Sequence, residues 1–215
     1  MFFFLPVQEG NPPKKFPLVN VLLIVLNIYV FFETATLPDY ERFVSAYGFT
    51  PSHPFHLQNV VSSMFLHAGL GHLIGNMYFL YVFGDNVEDK LGKGKYLLAY
   101  FLSGFGAIFL QTTMAPHSTI PMIGASGAIS GICALYMVMF PWQKMRLQFF
   151  FIIFPLFSIP ARAFFVVGIW FLEQYLMATM TPAQMGGVAF WAHVGGFLTG
   201  IALFPFLYEG KKKRD

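Results

Sequence analysis

The stretch Leu147–Leu176, LQFFFIIFPLFSIPARAFFVVGIWFLEQYL, is almost continuously apolar over 30 residues. Its reading decides how often the chain crosses a membrane, and so which helix ends share a face. A straight membrane span needs ~20 residues, so the stretch is too long for one. Pro155 and Pro160 interrupt it, and Arg162 follows closely. It is either a Phe-rich interfacial loop leading into one span, or two spans.

Five other apolar runs flank it: Phe16–Phe32, Leu70–Phe83, Tyr96–Leu110, Ser126–Phe140 and Val188–Tyr208, with the single-span reading placing a sixth at Ala163–Ala178. Each suits a membrane helix, because lipid offers no partner to a backbone polar group and only helices or closed barrels satisfy their own. The composition agrees: 56% hydrophobic, 11% charged and a positive mean hydropathy across 215 residues, against roughly 25% charged in an ordinary soluble domain. The start, MFFFLPVQEG, has no basic region before its apolar run, so no cleavable signal peptide is expected. Glu33–Gly69 is too long for a simple turn and is expected to fold partly at the interface. Cys133, the single cysteine, sits in an apolar run as a packing residue.

Charge chooses between the two readings. With six spans and an inside N-terminus, twelve of the thirteen basic residues fall on the inner side and only Arg42 outside, the bias that positive-inside orientation predicts. A seventh span would carry Lys211-Lys212-Lys213-Arg214 to the outer face. The expected fold is therefore all-α, a polytopic membrane bundle of six transmembrane helices. Residues 1–15 form an inner N-terminal segment, 16–208 the membrane domain and 209–215 a basic inner tail. The net charge of +3 follows from this topology and implies no nucleic-acid partner.

Parity then brings chemistry together. The second, fourth and sixth spans all enter from the outer side, and their first turns carry His72 and Asn76, Ser126, and His193. A serine hydroxyl is a weak nucleophile until a base takes its proton, and an imidazole suits that task. Gly127 and Gly131 on one helix, and Gly196 and Gly200 on the other, form small-xxx-small faces that let two membrane helices pack closely. The Ser126 helix, stopped by Pro141, spans only ~22 Å of a ~30 Å core, so its N-terminus lies in a sunken, wet cavity. Backbone N–H groups there, at Ser126 and Gly124, can hold an oxyanion, with His72 and Asn76 as side-chain donors from one helical face. Glu173 is the one carboxylate well inside a span, and either orients a histidine or bonds a neighbouring helix. His67 can hydrogen-bond the first loop, while His53, His56 and His117 fall in outer loops. Each signal alone reads as packing; their shared depth points to a serine hydrolase.

The segments His67…His72…Asn76, Gly84…Glu88…Leu91-Gly92-Lys93-Gly94-Lys95, Gly124-Ala125-Ser126-Gly127 and Ala192-His193-Val194-Gly195-Gly196 together resemble the rhomboid intramembrane serine proteases. The resemblance implies Ser126 as nucleophile, His193 as general base, His72 and Asn76 at the oxyanion hole, and no metal or cofactor. It implies membrane-anchored protein substrates, cut near the outer end of their transmembrane segments, and a bacterial inner-membrane setting for this short form. Some members stack an aromatic residue on the histidine from the position four after the nucleophile; here that residue is Ser130. The Trp-Arg pair found in the first loop of some bacterial members is also missing.

Rival readings are a His67/His72/His193 metal or haem protein, a small transporter built on Glu173, and an inactive rhomboid-like chaperone. The absence of an H-E-x-x-H carboxylate weighs against the first, the lack of an inverted repeat against the second, and retention of Ser126 and His193 against the third. The outer connection Thr179–Gly187, with Met180, Met185 and Gly186-Gly187, is either a hinged lid over the site or an ordinary short loop.

Overall fold

The computed structural model describes residues 2–8, 10–151, 154–182 and 187–209. The basic tail and the Met185-Gly186 part of the expected lid therefore lie outside the described residues. In chain order the elements are β1 (Phe2–Gln8), α1 (Leu18–Ala35), α2 (Tyr40–Tyr47), α3 (Leu57–Ser63), α4 (Leu70–Phe79), a π-helical turn (Leu80–Gly84), α5 (Asp85–Leu91), α6 (Lys93–Met114), α7 (Ser126–Met139), β2 (Lys144–Phe151), β3 (Phe154–Arg162), α8 (Ala163–Met180) and α9 (Phe190–Leu207). By length and composition α1, α6, α8 and α9 can each cross a membrane, and α7 is a shorter apolar helix. Helical backbone also runs without a break from Leu70 to Leu91.

The π turn in that run has a cause and a partner. A π turn displaces backbone carbonyls from the regular ladder, and the Leu80 carbonyl accepts a bond from Asn20 Nδ2 at 3.0 Å. Asn20 Oδ1 in turn accepts from the Tyr96 hydroxyl at 2.7 Å. Gly84 is required beside them, since a Cβ there would overlap the Asn20 amide. At Gly92, φ of +81° lets one residue end α5 and start α6, a backbone state open to glycine. Glu88, buried at 3% exposure, caps α1: its two carboxylate oxygens accept from the Val19 N–H at 3.1 Å and the Asn20 N–H at 2.7 Å. Glu88→Ala removes both acceptors from a helix start that has no intrahelical ones. A loss of about 1–3 kcal/mol, read as a lower midpoint of thermal unfolding in detergent, is the expected outcome.

Glycine governs the packing of the central helices, as the small-xxx-small pattern anticipates. A Cβ on Gly196 would overlap the Gly127 carbonyl, and one on Gly200 the Gly131 carbonyl, so α7 and α9 touch backbone to backbone. On its other side α9 meets α6, where a Cβ on Gly195 would come within 2.5 Å of the Gly106 carbonyl oxygen. Cys133 is buried in this core.

The all-helical expectation needs correction where the chain is richest in Phe. The segment before α8 is not an irregular loop but an antiparallel hairpin, β2–β3, joined by β1 into a sheet of order β1-β2-β3. Long aromatic and β-branched side chains favour extended backbone. The prolines fit too: Pro6 lies on one edge strand, and Pro155 and Pro160 on the other, where a missing N–H costs no ladder bond. Met145 is fully buried, and Leu147 and Ala161 pack on the helical core. The Tyr78 hydroxyl donates to the Pro6 carbonyl at 2.9 Å, tying this sheet to α4.

The first loop is folded rather than extended, with α2 and α3 inside it. Asp39 caps α2 through the Arg42 N–H at 3.3 Å, and Asn59 Nδ2 donates to the Ala46 and Gly48 carbonyls at 2.7 and 2.9 Å. Phe49 and Met122 exchange backbone bonds of 3.1 and 2.7 Å. The loop thereby braces the strand-like lead into Ser126.

Candidate active site

Close α7–α9 contact sets the central geometry. Ser126 opens α7, His193 lies in the first turn of α9, and His193 Nε2 is 2.8 Å from Ser126 Oγ. On the other side of the ring, His193 Nδ1 is 2.6 Å from Gln174 Oε1. An amide oxygen only accepts, so Nδ1 donates to it; a neutral ring then leaves Nε2 to accept from the serine hydroxyl. Trp170, one turn before Gln174 on α8, lays its ring 6.1 Å from the imidazole at 32°. Phe190 meets that ring edge-on at 6.3 Å. Ser130, where an aromatic ring might have stood, instead donates its hydroxyl to the Ser126 carbonyl at 2.7 Å. The aromatic face comes from another helix.

His72 and Asn76 lie across from this pair on α4, as their spacing anticipates. Gly124, at φ +122°, allows the approach: a Cβ there would come within 2.7 Å of the His72 ring and 3.6 Å of Asn76 Nδ2. Asn76 Nδ2 donates to His67 Nε2 at 2.9 Å, while His67 Nδ1 donates to the Phe65 carbonyl at 3.3 Å. Burial and the neighbouring His72 push the His67 imidazole down to about 4, so it stays a neutral acceptor at ordinary pH. The Tyr40 hydroxyl donates to the His67 carbonyl at 2.7 Å. The expected tie of His67 to the first loop is thus present, and it also holds Asn76.

Two expectations change. The Gly124 N–H donates to the Ser63 carbonyl at 2.8 Å, so it is engaged and cannot serve as an oxyanion donor in this geometry. The Ser126 N–H remains in the first turn of α7, where no earlier helical carbonyl exists to receive it. Glu173 is exposed on α8, turned away from the histidine; its neighbour Gln174, at 7% exposure, makes that contact. The signal for Gln174 was the pair Trp170 and Gln174 one turn apart, legible only once the inward face of α8 is known.

A cavity of about 570 Å³ opens over Ser126, with His72, Asn76, Phe79, Trp170 and Gln174 in its walls. Its sides come from α4 and α8, which meet through the Phe79–Trp170 contact at 6.0 Å. His53, His56 and His117 are exposed and remote in role. Among the described residues, no group of His, Cys, Asp and Glu is arranged to hold a metal ion.

The family profile of the Rhomboid domain matches residues 54–210. A chloroplastic rhomboid-like protein 11 of Arabidopsis thaliana is 26% identical over 85% of the chain, and rhomboid-like protease 3 of Toxoplasma gondii 31% identical over 75%. The chain spans 62% and 55% of the lengths of those two proteins. A shorter match, 28% identical over 43% of the chain, is to 6% of a Drosophila melanogaster protein named inactive rhomboid protein 1.

Proposed function

The chain belongs to the rhomboid family, and from that membership we propose that it is an intramembrane serine endopeptidase acting on membrane-anchored proteins. It is an integral membrane protein, with apolar helices long enough to span. The observation that carries the activity is the 2.8 Å contact between His193 Nε2 and Ser126 Oγ, within the range for proton transfer to a general base.

The reaction is acyl transfer. Ser126 Oγ attacks the scissile carbonyl as its proton passes to His193 Nε2. The oxyanion that forms accepts from the Asn76 amide, from His72 and from the Ser126 N–H. Asn76 has two N–H bonds, one held by His67 and one left for the oxyanion. Collapse breaks the C–N bond, and His193 returns the proton to the leaving amine. Water then attacks the acyl-enzyme by the same route in reverse. Loss of one oxyanion donor costs ~10²-fold or more in kcat. Asn76→Ala is expected to fall near the lower end of that range in steady-state cleavage assays, with KM little changed.

Six spans are assigned to α1, the α4–α5 run, α6, α7, α8 and α9, with both termini on the inner, basic side and Ser126 toward the outer face. Transmembrane substrates enter laterally between α4 and α8, where the cavity has its walls, and water enters from the outer side. Purified protein in liposomes with a panel of single-span substrates tests the reading. It should cut some of them in or near the span, and a fluorophosphonate should label Ser126. Absence of both from well-folded protein would refute it.

A further inference from the structure

We propose that Gln174 is a positioning residue of the reacting set, fixing the tautomer and ring plane of His193, so that the site works as Ser126–His193–Gln174. The inference rests on the proteolytic reading above and extends it from two residues to three.

Three observations carry it. The Nδ1–Oε1 distance of 2.6 Å is short for an N–H···O bond, and it lies on the ring nitrogen opposite the one facing Ser126. Only the Nδ1–H tautomer leaves Nε2 free to take the serine proton, and a neighbouring acceptor selects that tautomer. Gln174 is 7% exposed, so water has little access to its amide. Trp170 packs on the ring from one turn away on the same helix, so α8 restrains both the rotation of the imidazole and the direction of its N–H.

Chemistry explains an amide in this place. A buried carboxylate would hold the imidazolium more strongly, but an unneutralised charge in a membrane interior is costly. Glutamine supplies the acceptor without the charge. The site still needs His193 to become positive transiently, and the Gln174 carbonyl dipole points its negative end at the ring. A rival account treats Gln174 as glue between α8 and α9, since a side-chain hydrogen bond across membrane helices adds stability by itself.

Two variants separate these accounts. Gln174→Met keeps the length and apolar bulk of the side chain and removes the oxygen acceptor. Gln174→Glu keeps a carbonyl-type oxygen in either protonation state. The positioning role predicts that Gln174→Met lowers kcat roughly 10- to 100-fold, less than the ~10⁴ lost when a charged triad carboxylate is neutralised, with KM and thermal midpoint near wild type. Gln174→Glu should recover most of that kcat. Unchanged kcat in Gln174→Met overturns the proposal, as does an equal loss in both variants that tracks a lowered thermal midpoint. The same variants are compared by rate of Ser126 phosphonylation with a fluorophosphonate, which requires no protein substrate. Slower labelling of Gln174→Met, restored by Gln174→Glu, supports the role even where no membrane substrate is cut; that failure bears on the endopeptidase reading alone.

Discussion

Ser126→Ala and His193→Ala should each lower kcat by roughly 10⁴- to 10⁶-fold, the scale seen when one member of a serine–histidine set is removed. The two losses should not add, since nucleophile and base act in one step. Stability should move little in Ser126→Ala, which loses the 2.8 Å bond to His193, since a single hydrogen bond contributes only about 1 kcal/mol net. His193→Ala also leaves the buried Gln174 acceptor unpaired and should cost about 1–3 kcal/mol. Both residues face the cavity rather than the packed core. Thermal unfolding in detergent and product appearance from a labelled single-span substrate check both halves. Clear residual turnover by Ser126→Ala would end the serine mechanism.

Gly196→Val should be nearly as damaging by a different route. Its Cβ would overlap the Gly127 carbonyl, and neither backbone can yield without shifting a helix. Ser126 precedes Gly127, and His193 lies one turn before Gly196, so separating α7 from α9 moves nucleophile and base apart. A misplacement of ~1 Å can cost 10²-fold in rate, and overpacking of this kind destabilises by about 1–3 kcal/mol. The expected result is at least that loss of kcat together with a lowered thermal midpoint. Gly168→Val on α8 is the control, because a Cβ there meets nothing within 4 Å. Equal behaviour of the two variants would mean that close α7–α9 contact is not what holds the site.

These expectations rest on parts of the chain that differ in how legibly they were written. Ser126 and His193 stood out because glycines one turn apart marked both helices as close packers, and span parity placed both at one depth. His72 and Asn76 followed from helical spacing. Gln174 did not stand out, because its neighbour Glu173 carries a charge and a charge in an apolar span draws the eye. Which of two adjacent residues faces inward depends on how α8 is rotated against α9, and an apolar helix with no polar face does not encode that rotation locally. The Gly124 N–H was misjudged for a related reason: its acceptor, the Ser63 carbonyl, belongs to a distant loop. The sheet was hidden more deeply. A run of Phe and Ile with no alternation reads equally as lipid-facing loop or buried strand, and its third strand lies near the opposite end of the chain.

That remote pairing bears on the order of assembly. β1 emerges well before β2 during synthesis, since its partners there, from Met145 to Phe151, are made only after α1, α4–α5, α6 and α7. Until then β1 has no strand to join. Joining the two closes a loop of roughly 140 residues, for which the entropic cost grows only slowly with length once intervening helices are docked. The sheet is therefore a late closure: β1 can be tied to α4 through Pro6 and Tyr78 long before β2 exists to pair with it. A chain stalled before the hairpin would carry an unpaired aromatic strand, the kind of segment that associates with other chains.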